Sequence, residues 1–234
     1  MPSYLSIMAI SVPHILGGTY IIETVFSIKI SSNSEFTEAM LSPSECIKGE
    51  ALTEGDRVKV YVVEVRKSTR GPQVLISRTH PGLVRRLFEL EVPEIYDGTV
   101  EVMSIAREAG SRSKLAVWSE DENVDPIGAC VGPKGQRVNA VVEELRGEKV
   151  DIVKYSEDPA QYVAAALAPA DVISVTELEP GKSCRVIVPD DQLSLAIGKE
   201  GQNARLAARL TGYKIDIRPA SAPEPEAEEA ADAD

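Results

Sequence analysis

The sequence GPKGQ at residues 132–136 and its near-copy GKEGQ at residues 198–202 decide the fold. The two stretches lie 66 residues apart (198 − 132), and each precedes a second similar segment, KVDI at 149–152 and KIDI at 214–217. Such self-similarity predicts two copies of one structural unit. Two glycines three positions apart let the backbone turn sharply between helices, because neither carries a Cβ.

The elements around both turns follow one order: helix, strand, strand, helix, helix, strand. Asp125-Pro126 and Asp158-Pro159 predict helix starts, because aspartate caps free amides and proline suits the first helical position. Leucines 83, 87 and 90 share one face of the first helix. Ahead of the first turn, the sequence predicts a helix over 81–91 and strands near 100–107 and 114–118. Ahead of the second turn, it predicts a helix over 159–168 and strands near 172–178 and 184–188.

A different pattern precedes the repeats. Residues 57–65 (RVKVYVVEV) alternate, with Val58, Val60 and Val62 on one face, which predicts a half-buried strand. A basic turn at 66–72 separates this strand from a second one at 74–77. This hairpin is typical of the end of a small β-barrel.

Charge is segregated along the chain, whose net charge is −12. Residues 221–234 carry six acids and no base, so the remainder has a charge of −6 (−12 + 6). Residues 56–90 have an excess of five positive charges (eight bases, three acids), and residues 198–218 an excess of three (five bases, two acids). Nucleic-acid binding responds to such local potential more than to the total.

The sequence gives little support for a catalytic site, a metal site or a membrane-spanning segment. Three scattered cysteines without a CxxC pair and only two histidines argue against a disulfide framework or a zinc site, and they fit a reducing cytoplasm. We identify no Ser/His/Asp set, and we expect no catalytic residue, no metal and no cofactor. No uninterrupted apolar run of eighteen residues indicates a membrane span.

The two glycine turns are the predicted RNA-binding sites. Each is followed by a helix whose N-terminus offers amides and a positive dipole end to phosphates. One such turn alone is more often a tight helix connection, but two copies containing basic residues favour RNA contact. The predicted RNA-binding residues are Gly132, Pro133, Lys134, Gly135, Gln136, Arg137, Gly198, Lys199, Glu200, Gly201, Gln202, Asn203 and Arg205.

Three long stretches resemble the S1 and tandem type II KH region of the bacterial NusA family of transcription termination/antitermination factors. They begin RVKVYVVEVRKSTRGPQ at 57, VDPIGACVGPKGQRV at 124 and VPDDQLSLAIGKEGQ at 188, and the match covers about Pro43–Pro219. The resemblance implies an α+β multidomain fold with both KH domains packed into one extended RNA-binding surface. The implied domains are an S1/OB-type barrel (1–78), two type II KH domains (79–155 and 156–219) and a disordered acidic tail (220–234).

The resemblance also implies a function. We expect a cytoplasmic, monomeric protein that binds single-stranded nascent RNA and acts in pausing, termination and antitermination. RNA polymerase and other elongation factors are the partners that the family implies. The family normally carries a polymerase-binding domain ahead of the S1 barrel, for which this chain has no room, and residues 1–40 match the first barrel strands poorly.

Several alternatives stay open. Arg66, Lys67 and Arg70 either contact RNA from the barrel or form a solvated hairpin tip. Tyr61 and Phe36 either stack on bases or pack within the protein. The chain could instead be an accessory module of an RNA-degrading protein, which requires phosphorolytic activity, or of a ribosome-associated protein, which requires co-sedimentation with ribosomal subunits.

The acidic tail gives a first prediction. Its charge is opposite to that of residues 198–218, so it would compete with RNA for that surface. Deletion of residues 221–234 should tighten binding to single-stranded RNA at low salt, as measured by fluorescence anisotropy. Unchanged affinity would reject this competition.

Overall fold

The computed structural model describes residues 5–7, 25–29, 37–53, 56–68 and 71–222. The chain divides into two compact units, residues 1–155 and residues 156–234. Within the described residues, none of the helices combines the length and the apolar character needed to cross a bilayer.

The described residues at the start of the first unit form five strands. They pair in the order β1-β2-β4-β5-β3, and β1 also pairs with β3. All pairs are antiparallel except β3 with β5, which is parallel. The strands are β1 (Leu5–Ile7), β2 (Val25–Lys29), β3 (Thr37–Leu41), β4 (Arg57–Ser68) and β5 (Gly71–Ser77).

Valines 58, 60 and 62 of β4 are buried in an apolar cluster with Ala39, Val74 and Ile76. Val63 and Val65, on the other face of β4, are 48% and 42% exposed. The alternation predicted for this strand is therefore confirmed, and its inward face forms the core of the five-stranded sheet.

The rest of the first unit contains four helices and three strands. The sheet has the order β6-β7-β8, with β6 antiparallel and β8 parallel to the central strand. The elements are α1 (Pro81–Glu91), α2 (Pro93–Tyr96), β6 (Glu101–Glu108), β7 (Arg112–Trp118), α3 (Pro126–Val131), α4 (Gln136–Glu144) and β8 (Lys149–Lys154).

Helices α1, α3 and α4 pack against this sheet. Leu83, Leu87 and Phe88 of α1, with Val141 and Leu145 at the end of α4, are at most 1% exposed and belong to one core cluster. Leu90, predicted on the same face as Leu83, is instead 60% exposed. The chain leaves the helix after Glu91, and Val92 is the buried residue at that end.

The second unit repeats this topology. Its sheet has the order β11-β10-β9, again with one antiparallel and one parallel partner on the central strand. The elements are α5 (Pro159–Ala166), β9 (Ser174–Glu179), β10 (Ser183–Val188), α6 (Leu193–Ile197), α7 (Gln202–Thr211) and β11 (Lys214–Pro219).

The sequence located most elements but missed several bounds. Helix α2 was not predicted, and the strands β4 and β5 continue through most of the predicted basic turn. A 3-10 turn at Asp190–Gln192 precedes α6, which starts at Leu193. Predictions about Phe36, Arg70 and residues 223–234 lie outside the described residues.

A buried arginine joins the five-stranded sheet to α4. Arg78, 0% exposed, binds Glu50 through two nitrogens at 2.5 and 3.2 Å. It also donates to the Lys59 carbonyl at 2.6 Å and contacts the carboxylate and the carbonyl of Glu144 at 3.2 and 3.1 Å. Because these partners come from both parts of the unit, Arg78 fixes their mutual position.

Replacement of Arg78 should destabilise the first unit strongly. Among the residues that the structure describes, Arg78→Met leaves the buried Glu50 side chain with only Arg146 as an ion-pair partner, 3.8 Å away. Removal of one partner from a buried ion pair costs about 3–5 kcal/mol. The matched control is Arg66→Met, which breaks an exposed pair with Glu64 that is worth about 0–1 kcal/mol. Equal free energies of unfolding in urea for the two variants would contradict this role of Arg78.

Candidate nucleic-acid interface

The first glycine turn has a backbone that needs its glycines. Asp125 caps α3 by accepting from the Ile127 amide at 3.1 Å, and the helix ends at Gly132, which has φ 70° and ψ 175°. Gly135 is left-handed at φ 76°, and α4 begins immediately after it. Between the glycines, Lys134 has φ 54° and ψ 27°, a left-handed conformation that non-glycine residues rarely adopt.

The second turn has nearly the same conformation. Gly198 has φ 76° and ψ 172°, Glu200 has φ 54° and ψ 26°, and Gly201 has φ 73°. In both copies the amide of the second glycine donates to the carbonyl of the first at 3.1 Å. The resemblance that the sequence predicted between the two turns therefore extends to the backbone angles.

The N-cap residues of α4 and α7 are Gly135 and Gly201, which have no side chain to bind the amides that follow. The first amide of each helix, at Gln136 and Gln202, donates to the backbone carbonyl three residues back, of Pro133 and Lys199. The first amides of a helix have no intrahelical acceptor, and together with the helix dipole they favour an anion. Each turn thus places a helix N-terminus next to an exposed lysine, Lys134 or Lys199. This arrangement suits a phosphate group.

Two residues predicted to contact RNA, Arg137 and Asn203, instead form hydrogen bonds within the protein. Arg137 donates to the Ala129 carbonyl at 2.6 Å and to Glu94 at 2.8 Å. Asn203, 2% exposed, donates to the carbonyls of Leu167 and Ala196 at 2.9 and 3.0 Å. Both follow the first glycine of their turn by five residues. Their polar groups fix the turns internally, and a direct RNA contact through the Asn203 amide nitrogen does not fit its burial.

The outward-facing residues differ between the copies. Pro133, Lys134 and Gln136 are exposed in the first, whereas Lys199, Glu200 and Arg205 are exposed in the second. Glu200 occupies the position of Lys134 and places a negative charge where the first turn has a positive one. The guanidinium of Arg205 lies over its turn, because Nη1 donates to the Glu200 carbonyl at 3.2 Å.

Sequence reasoning missed residues next to the turns. Asn139, 66 positions before Arg205, is exposed and has its amide nitrogen 3.3 Å from the position of a Cβ on Gly135. Leu195 and Ile197 are 43% and 38% exposed on α6, beside the second turn. The offset of 66 residues could have identified Asn139, whereas exposure of the two apolar residues has no sequence signal.

The other predicted groups are not gathered at the turns. Arg66 forms an exposed ion pair with Glu64 at 2.8 Å, Lys67 lies on β4, and Arg70 is outside the described residues. Cys130 is buried in α3 just before the first turn, and burial raises the pKa of its thiol to about 12, so the thiol stays protonated. In the part of the chain that the structure describes, no three His, Cys, Asp or Glu residues are grouped to hold a metal ion.

Each unit contains one three-stranded sheet with its helices and a glycine turn between the last two helices. Two copies of this arrangement define a tandem KH protein. The family descriptions that match are the NusA-like first KH domain, over residues 78–155, and the NusA-like second KH domain, over residues 159–224. The chain belongs to the NusA family, as the resemblance predicted.

Curated relatives agree with this assignment. The chain is 64% identical over 181 residues to the transcription termination/antitermination protein NusA of Halalkalibacterium halodurans, covering 77% of this chain and 47% of the relative. It is 53% identical over 199 residues to NusA of Mycobacterium tuberculosis, covering 85% of this chain and 57% of the relative. It is 54% identical over 184 residues to NusA of Thermus thermophilus, covering 78% of this chain and 47% of the relative. The chain thus spans about half the length of these relatives.

The first glycine of the second turn should tolerate no side chain. A Cβ on Gly198 would lie 2.8 Å from both the amide nitrogen and the Cβ of Asn203, at φ +76°. Gly198→Ala should therefore destabilise the second unit by about 1–3 kcal/mol from overpacking. A backbone penalty of about 1–3 kcal/mol adds to this, because φ 76° with ψ 172° is a conformation that essentially only glycine adopts.

The matched control is Gly181→Ala, because Gly181 has φ +71° and a Cβ added there would meet no atom within 4 Å. This variant should show only the left-handed penalty, about 1–2 kcal/mol. Urea unfolding compares the two, and equal losses of stability would contradict the close approach at Gly198.

Proposed function

We propose that this chain is a non-catalytic protein that binds single-stranded RNA through its two glycine turns and acts in transcription elongation, pausing, termination and antitermination. The observation that carries the proposal is the repeated turn itself. Two helix N-termini with glycine as the N-cap residue each lie next to an exposed lysine, on a backbone whose glycines allow close approach. In this mechanism the turns bind phosphates, and polar side chains beside them contact base edges.

Single-stranded RNA is the favoured substrate class for a physical reason. Side chains cannot read base edges in the narrow major groove of an RNA duplex, whereas an unpaired strand exposes both phosphates and bases. The side chains proposed to contact bases are Gln136 and Gln202, at the first residue of α4 and α7, with Arg205 and the apolar pair Leu195 and Ile197 beside the second turn. Arg137 and Asn203 are proposed as positioning residues.

The transcriptional role follows from the relatives. Their name, transcription termination/antitermination protein, supports the same role here, and the NusA family implies association with RNA polymerase. We propose KH domains at 79–155 and 156–219, since the family matches begin and end near these residues. The five paired strands before them support an S1/OB-type barrel as the third module.

The test replaces the middle residues of each turn by aspartate. The variants are Pro133→Asp with Lys134→Asp, and Lys199→Asp with Glu200→Asp. Aspartate tolerates the left-handed conformation better than most residues, so the turns should keep their shape while repelling phosphate. Anisotropy with an unstructured RNA over a salt series should show a slope of about −0.7 per phosphate contacted, and lost affinity in both variants.

A further variant sharpens the test. Glu200→Lys gives the second turn the residue that the first turn has at this position, so it should tighten binding and steepen the salt slope by about 0.7. Circular dichroism verifies the fold of each variant. Binding that none of these changes alters would mean that the turns are structural and that another surface binds RNA.

A further inference from the structure

A cleft of about 450 Å³ lies in the first unit and uses no residue of either glycine turn. Its size is within the range of small-molecule sites, about 300–1,000 Å³. It combines aromatic rings, guanidinium groups and apolar surface, contributed by Tyr61, His80, Arg85, Arg86, Pro81 and Ile105.

Two of these residues form a parallel ring stack. The rings of Tyr61 and His80 have their centroids 4.3 Å apart and an interplanar angle of 1°. Tyr61 packs against the core cluster of α1, whereas His80 is an exposed residue. The stack is therefore anchored in the protein at the tyrosine and accessible to solvent at the histidine.

The histidine ring is held in one orientation. Its Nδ1 accepts from the Gly82 amide at 2.9 Å, and its backbone amide donates to Ser77 Oγ at 2.8 Å. A Cβ on Gly82 would lie 2.6 Å from the Tyr61 ring and 2.8 Å from His80 Nδ1, so glycine is required there. Partial burial of the ring lowers the pKa of His80 below its ordinary value, so the ring is mainly neutral at pH 7.

The charge in the cleft is not fully neutralised. Arg86 pairs with Glu89 on α1. Arg85, by contrast, has no ion-pair partner among the residues that the structure describes, and it is only partly exposed. A flat ring surface next to an unpaired guanidinium matches the two parts of a nucleotide, because bases stack on aromatic rings and arginine binds phosphate.

We propose that this cleft is a nucleotide subsite for single-stranded RNA, in which a base stacks on the open face of the His80–Tyr61 pair and Arg85 binds the adjacent phosphate. This subsite is separate from the two glycine turns. It adds an RNA contact made by residues of the first unit that belong to neither turn. Its chemistry requires neither turn, so the two proposals can fail separately.

The experiment observes the imidazole protons by NMR. The chain has only two histidines, His14 and His80, and a His80→Gln variant assigns their signals. An unstructured RNA tetranucleotide is added to the full chain and to the variant with aspartate at 133, 134, 199 and 200. The His80 signal should move upfield in both proteins, because the ring current of a stacked base shields it.

Two arginine variants complete the test. Arg85→Gln should weaken the affinity read from the His80 shift about tenfold, as expected for loss of a charge-assisted hydrogen bond. Arg86→Gln, the matched control, should change it less than about twofold, because Glu89 already pairs with this arginine.

The opposite results are equally clear. A His80 signal that stays in place while the chain binds the tetranucleotide would overturn the subsite. Disappearance of the shift in the four-aspartate variant would also overturn it, because the shift would then report binding at the turns. Lost overall affinity in that variant with the His80 shift retained would support both proposals.

Discussion

The constraint on which the structure depends is a left-handed residue held between two glycines, twice in one chain. Lys134 and Glu200 both have φ 54°, a conformation that costs about 1–3 kcal/mol for a residue with a Cβ. The surrounding structure offsets this strain through Arg137 in the first copy and Asn203 in the second, which bind carbonyls of the preceding helix. The strained residue is exposed to solvent, and a helix with a glycine N-cap begins two residues later.

Away from the turns, different buried polar contacts stabilise the two units. In the first unit the charged groups are buried and paired: Glu148, 0% exposed, binds Arg107 through two contacts of 2.9 Å and accepts from Ser113 at 2.6 Å. In the second unit Tyr162 donates to the Leu210 carbonyl at 3.1 Å, joining α5 to α7. The first set of contacts joins the loop after α4 to β6 and β7, and the second joins two helices, so each unit is stabilised by contacts that lie outside its turn.

Much of the fold could be predicted because its signals are local. The aspartate caps at 125 and 158 accept from amides two residues on, as predicted, and α1 has the predicted bounds. The inward orientation of Asn203 could not be predicted, because its carbonyl partner at Leu167 is 36 residues away. Likewise Arg78 and Glu144 are 66 residues apart, and sequence patterns do not reveal which distant segments meet.

The most direct measurement of the central claim is an amide NMR titration of the full chain with an unstructured RNA and, separately, with a duplex of the same length. The account predicts that the amides of residues 134–137 and 199–203 shift strongly with the single strand and weakly with the duplex. The claim that the two turns bind single-stranded RNA would be contradicted if these amides did not shift with the single strand. It would also be contradicted if they shifted equally with both RNAs.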